Sequence, residues 1–138
     1  MNILWDWTPN KSLGPVKIGS SIDAYILSLG FIYDEDSDPA DGWVSYIDKA
    51  GDVYIDVSDG LVVSITSYGE FYYKSLNLIG ATILELGALV GRVADEVGSA
   101  VEFDDGDIKN SYDYFDLGLQ VWASQGVITS ATCLSYDS

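Results

Sequence analysis

Asp52-Val53-Tyr54-Ile55-Asp56-Val57-Ser58-Asp59-Gly60-Leu61-Val62-Val63-Ser64-Ile65-Thr66 is the stretch from which the fold is read. Val53, Ile55 and Val57 alternate with Tyr54 and Asp56, the period of a strand with one face in a core. Asp59-Gly60 supplies residues that tolerate the positive φ of a two-residue hairpin turn. Beyond it Leu61, Val63 and Ile65 alternate with polar or smaller residues, so these three are expected on the core face of the returning strand. A second hairpin follows the same plan: Leu119, Val121 and Ala123, a turn at Gln125-Gly126, then Val127, Thr129, Ala131 and Cys133. Gly60, Ser64 and Thr66 correspond to Gly126, Ser130 and Thr132. Shorter strands are expected around residues 43–47, 100–103 and 112–115.

Each hairpin is preceded by a helical pattern. Ile22, Tyr25, Ile26 and Leu29 form an apolar stripe, with Ser20 and Asp23 as a capping box and Gly30 as the stop. Ile83, Leu86 and Val90 repeat the stripe, capped by Thr82 and Glu85 and ended by Gly91. Gly19, Ile22 and Gly30 thus map onto Gly80, Ile83 and Gly91 at one offset. The pattern predicts an α+β fold: an antiparallel sheet with short helices packed on it. It spans residues 1–138 as one domain, with internal helix-plus-hairpin repeats at 14–76 and 77–138 sharing a core. Independent hairpins with similar turns give the same pattern.

The charge balance points to a class of partner. Six Lys and Arg stand against 22 Asp and Glu, a formal net charge of -16. With 48% hydrophobic residues the chain folds rather than forming an acidic tail. Such a field repels nucleic-acid phosphates and anionic membranes and speeds encounter with basic proteins. It also opposes self-association, so a monomer in a one-to-one complex is expected. The N-terminus has no basic n-region, and the apolar stretch at 79–90 is interrupted by Gly80, Thr82, Glu85 and Gly87. The lone Cys133 fits the core face of a strand, and together these features predict a cytoplasmic protein.

Catalytic signals are weak. With no histidine in the chain, the Ser-His-Asp and Cys-His arrangements and most zinc sites are ruled out. No glycine loop has the Gly-Lys-Ser/Thr of a phosphate cradle, and paired carboxylates arise by chance among so many acids. Asp34, Asp36 and Asp38 alternate as the first ligands of a calcium loop do. Pro39 then stands where that loop needs glycine, and Ser45 where it needs its closing glutamate. A binding protein is expected, not an enzyme, with no metal and no cofactor.

The informative pattern is acid interleaved with aromatics. Tyr33, Asp34, Glu35, Asp36, Asp38, Asp41 and Trp43, followed by Tyr46, make a first candidate partner-binding segment. Asp104, Asp105 and Asp107, with Phe103 before them and Tyr112, Tyr114 and Phe115 beyond, make a second. Carboxylates offer charge-assisted hydrogen bonds to Lys and Arg, and Tyr and Trp anchor interfaces. The plainer reading is a solvated loop with core aromatics behind it. Trp5 and Trp7 fit one face of a core-edge strand, with a ligand-stacking platform as the sharper alternative. Tyr68, Phe71, Tyr72 and Tyr73 form either a surface patch after the first hairpin or, as favoured, a plug of the sheet.

Trp5-Asp6-Trp7-Thr8-Pro9, Gly14-Pro15-Val16-Lys17-Ile18-Gly19 and the helix leading to Leu29-Gly30 resemble small immunity proteins of bacterial polymorphic toxin and contact-dependent inhibition systems. Asn77-Leu78-Ile79-Gly80 and Leu117-Gly118-Leu119-Gln120-Val121-Trp122 fit the same likeness. A glycine-bounded helix is also similar to that of tandem αβ inhibitors of the β-lactamase-inhibitory type, which are usually exported and carry disulfides. The first resemblance implies a cognate basic toxin domain from the same locus, often a nuclease, whose cleft the acidic chain plugs or flanks. An acidic adaptor module without a toxin partner is the alternative.

Overall fold

A computed structural model describes residues 3–37, 40 and 42–135. In chain order its elements are β1 (Trp7–Thr8), β2 (Ser12–Leu13), β3 (Val16–Lys17), α1 (Asp23–Leu29), β4 (Ile32–Tyr33), β5 (Val44–Ile47), β6 (Val53–Ser58) and β7 (Leu61–Ser67). There follow β8 (Tyr72–Tyr73), β9 (Leu76–Asn77), α2 (Ile83–Val90), β10 (Glu96–Val97), β11 (Val101–Glu102), β12 (Ile108–Tyr114), β13 (Leu119–Ser124) and β14 (Val127–Leu134). The large antiparallel sheet runs β10-β12-β13-β14-β7-β6-β5-β4, with β11 also paired to β12.

The fold is mainly β, which corrects the α+β expectation. Among the described residues the α-helices span only seven and eight residues, against a nine-stranded sheet and two smaller ones. The discrepancy has a physical source. β1, β2, β3, β8, β9, β10 and β11 are two-residue pairings. Alternation needs about four residues to be legible, so such pairings read as loop and the helices are overweighted.

β7 and β14 meet at the middle of the sheet, with Thr66 opposite Thr132 and their hydroxyls 2.8 Å apart. From this pair the same elements follow in both directions. The joints between helix and hairpin match as well. Gly19 N donates to Val62 O and Gly80 N to Ile128 O; Ile22 N donates to Gly60 O and Ile83 N to Gly126 O. An approximate two-fold axis therefore passes between the two threonines.

Both hairpins carry a bulge at the same place. Asp56 faces Ser64 while Val57 faces Val62, leaving Val63 as the extra residue; likewise Thr129 is extra between Ile128 and Ser130. An extra residue reverses the alternation once. The core face of β7 is therefore Val62, Ile65 and Ser67, and the expected Leu61 and Val63 are exposed. In β14 Ile128, Ala131 and Cys133 turn inward, whereas Val127 is exposed.

The helix caps differ between halves. Thr82 and Glu85 form the expected capping box. The box expected of Ser20 and Asp23 is absent: the N-cap is Ile22, and Ser20 Oγ donates to Lys17 O at 2.5 Å and meets Tyr25 Oη at 2.7 Å. Tyr25, Leu86, Phe31, Phe71 and Leu78 join Trp5, Trp7, Leu13 and Val16 in one core against one face of the large sheet. The N-terminal segment is sewn to that sheet near Gly118: Asn10 N donates to Leu117 O and Asn10 Nδ2 to Asp116 O. Gly118 has φ 63°, and a Cβ there would lie 2.6 Å from Asn10 Oδ1 and run into Leu134 O, so the seam requires glycine.

Candidate functional site

The first acidic segment begins on the edge strand β4. Tyr33 faces Tyr46 of β5, with ring centroids 5.6 Å apart and planes at 84°. Asp34 then closes a turn: its N–H donates to Ser45 O at 2.8 Å, and its Oδ1 accepts from Asp36 N at 3.1 Å. Asp34 is half-buried, whereas Glu35 and Asp36 are exposed. Asp38 and Asp41 lie outside the described residues. Trp43, 52% exposed, enters β5 beside the Asp59-Gly60 turn and lines a shallow cavity with Val57 and Asp59. Tyr33, Asp34 and Tyr46 are thus brought together, with Trp43 at the far end of the same edge.

The second segment is the turn between β11 and β12. Asp104 and Asp105 are exposed; Asp107 is half-buried and accepts from Ser124 Oγ at 2.7 Å. Phe103 stands edge-on to Trp122 at 5.4 Å, and Lys109 Nζ lies 4.5 Å from the Phe103 ring centroid. Lys109 thus stands over an aromatic ring of this turn.

The two segments are not neighbours. They occupy opposite edges of the large sheet. Strands spaced by ~4.8 Å set them about 34 Å apart across the sheet. A standard interface of ~800 Å² per partner is only about 32 Å wide. A partner of ordinary size covers one segment, or lies across the whole sheet face that carries Tyr54, Asp56, Thr66, Gln120 and Trp122. On that face Asp56 accepts from the Ser45 and Ser64 hydroxyls, both at 2.7 Å.

Among the remaining aromatics Trp5 and Trp7 are buried, and Phe71 plugs the core 5.6 Å from the Trp7 ring. Tyr68 departs from the expected plug: it is exposed and edge-on to Tyr54 at 5.8 Å. Cys133 is fully buried, and burial pushes its thiol pKa up to about 12, with the nearby Trp7 side chain lowering it by less. Among the described residues no three His, Cys, Asp or Glu side chains gather to hold a metal, and no helix is long and apolar enough to cross a membrane.

A feature outside the sequence reading is an apolar groove of about 470 Å³ between α2 and the strands β10 and β12. Leu84, Gly87, Arg92, Val93, Val97 and Tyr112 are among its lining residues. Its walls come from two stretches, 83–97 and 112–114, and in sequence terms Val93 and Val97 stand in what reads as a loop.

No protein-family model and no curated protein matches the chain. Among solved structures it is similar to a cysteine-rich secretory protein from Staphylococcus aureus, with 16% identity and a TM-score of 0.54. The match covers 99% of this chain and 51% of that one, so the chain spans about half the length of its structural neighbour. At this identity the likeness concerns the fold alone.

Proposed function

We propose that the chain is an immunity protein that binds a cognate basic toxin domain in the cytoplasm and blocks its active site with an acidic surface. The observation that carries this reading is the exposed strip of Tyr33, Glu35, Asp36 and Trp43 in a chain of net charge -16. A basic nuclease cleft is the target such a strip fits best, because carboxylates stand where phosphates bind. Steering by the overall field raises the association rate, and desolvated carboxylate–Arg pairs beside aromatic anchors slow release. The first segment is favoured over the second because the aromatic of the latter, Phe103, is already covered by Lys109 and Trp122. The chain binds and does not catalyse, and it needs no cofactor.

Cells producing the toxin domain encoded in the same locus provide the test. Wild-type chain is expected to protect them. Glu35→Lys with Asp36→Lys is expected to abolish protection and weaken binding at least tenfold, with thermal stability unchanged. Asp104→Lys with Asp105→Lys is expected to change binding less than about threefold. The reverse ranking would move the site to the second segment. Absence of protection by the wild-type chain would leave an acidic adaptor as the better account.

A further inference from the structure

We infer that the open face of the large sheet is a binding site for a neutral glycan, an inference independent of the partner proposed above. The core covers one face of this sheet. Because side chains alternate along a strand, Tyr54, Asp56, Thr66, Thr132, Gln120 and Trp122 point to the other face, where all six are half-buried. The register sets the open face in rows. Tyr54, Thr66, Thr132, Gln120 and Asp113 lie abreast on five successive strands, each opposite the next. In the adjacent row Ser130 is opposite Trp122. Tyr68, one residue beyond the Ser67–Ala131 pair, flanks Ser130 on its other side.

Ser130 is the floor of this face. It is only 5% exposed, yet among the described residues its hydroxyl has no hydrogen-bond partner. A buried hydroxyl left this way is costly unless a ligand or solvent supplies the bond. Aromatic pairs stand on both sides of it. Tyr54 is edge-on to Tyr68 and Phe103 to Trp122, with ring centroids 5.8 and 5.4 Å apart. Tyr68 and Trp122 stand two strand spacings apart, about 10 Å, a span that a short chain of sugar rings bridges. The polar groups between them are mostly neutral. The Thr66 and Thr132 hydroxyls bond each other at 2.8 Å, which uses one proton and leaves the second to donate outward. Gln120 donates Nε2–H to Asp113 and keeps its carbonyl oxygen as an acceptor. Aromatic rings for the apolar face of a pyranose, beside hydroxyls and an amide for its hydroxyls, make a sugar site. The charged groups of the face select against other occupants. Asp56 and Asp113 repel an anionic polymer. A basic peptide meets carboxylates already engaged, Asp56 by the Ser45 and Ser64 hydroxyls and Asp113 by Gln120. Lys109 is engaged too, over the Phe103 ring. The middle of a sheet also offers a peptide no unpaired backbone with which to extend the ladder.

The probes are the neutral tetrasaccharides cellotetraose, maltotetraose, mannotetraose and chitotetraose, titrated into the full isotope-labelled chain. Tetragalacturonate is the anionic arm and a Lys/Arg-rich peptide the protein-like arm. At least one neutral tetrasaccharide is expected to shift the Trp122 indole N–H and the amides of Ser130, Thr132 and Gln120, with tetragalacturonate shifting none of them. Trp122→Ala is expected to weaken that binding about tenfold or more, as loss of a buried ring implies. Tyr68→Ala, at an exposed position that folding tolerates, is the second variant and is expected to weaken it in the same direction. Ser130→Ala is expected to weaken it about fivefold without lowering the thermal midpoint, because the hydroxyl has no partner within the chain. Leu27→Ala, 88% exposed on α1 on the core side of the sheet, is expected to leave binding unchanged. Failure of every neutral tetrasaccharide to bind would overturn the site, as would binding that Tyr68→Ala and Ser130→Ala both leave intact. Equal binding of tetragalacturonate would overturn its neutral selectivity. Shifts on this face with the basic peptide alone would overturn the glycan and give the face to a protein partner.

Discussion

Cys133 lies on the core face of β14, within reach of the Trp7 indole, and its thiol is fully buried. Burial raises the folded-state pKa from 9.0 to about 12. The sign follows from linkage. Between these values the unfolded thiol gives up its proton and the folded one does not, so stability is intact below about pH 9 and is lost as the pH rises toward 12. Near pH 10.5 the loss is on the order of 2 kcal/mol. Urea unfolding at pH 7 and near pH 10.5 should show this drop in the wild type, and a clearly smaller drop in Cys133→Ala. An equal drop in both would assign the alkaline sensitivity to other groups. The buried position was legible, because a lone cysteine in an alternating strand pattern belongs with the core. Its contact with Trp7 was not, since that pairing joins opposite ends of the chain.

At the scale of elements the two hairpin turns carried the reading. Asp59-Gly60 and Gln125-Gly126 have positive φ at both residues, 54° and 78°, and 51° and 79°. Those turns placed β6–β7 and β13–β14 correctly. The bulges escaped because Leu61, Val62 and Val63 are all apolar, and an unbroken apolar run does not say which member turns inward. The α2 cap was legible and the α1 cap was not: Ser20 has a better local partner in Tyr25 Oη than in the helix N-terminus. This asymmetry gives a prediction. Thr82→Ala removes a side-chain cap and is expected to cost ~1 kcal/mol, measured by urea unfolding. Asp23→Ala, at the residue of the missing box, is expected to cost less than half of that. Similar costs at the two positions would contradict the cap assignment.

For the whole molecule the dominant quantity is charge, which composition alone disclosed. The placement of that charge was not legible: the two acidic segments read as one chemistry but stand at opposite edges of the sheet. The groove was invisible for a related reason, since its walls come from α2, β10 and β12, which the alternation and turn signals did not bring together. The charge implies opposite salt responses for folding and binding. The isolated chain repels itself, so its thermal midpoint is expected to rise between about 20 mM and 500 mM NaCl as screening sets in. A midpoint that falls over this range would show that attractive ion pairs outweigh the repulsion. Binding to a basic partner is expected to weaken over the same range. The most direct test of the central claim is therefore the affinity of the purified chain for the toxin domain proposed as its partner, measured at both salt concentrations. Nanomolar binding at low salt, weakened at least tenfold at high salt and accompanied by loss of toxin activity, is the expected result. No binding, or binding indifferent to salt, would contradict an acidic immunity protein.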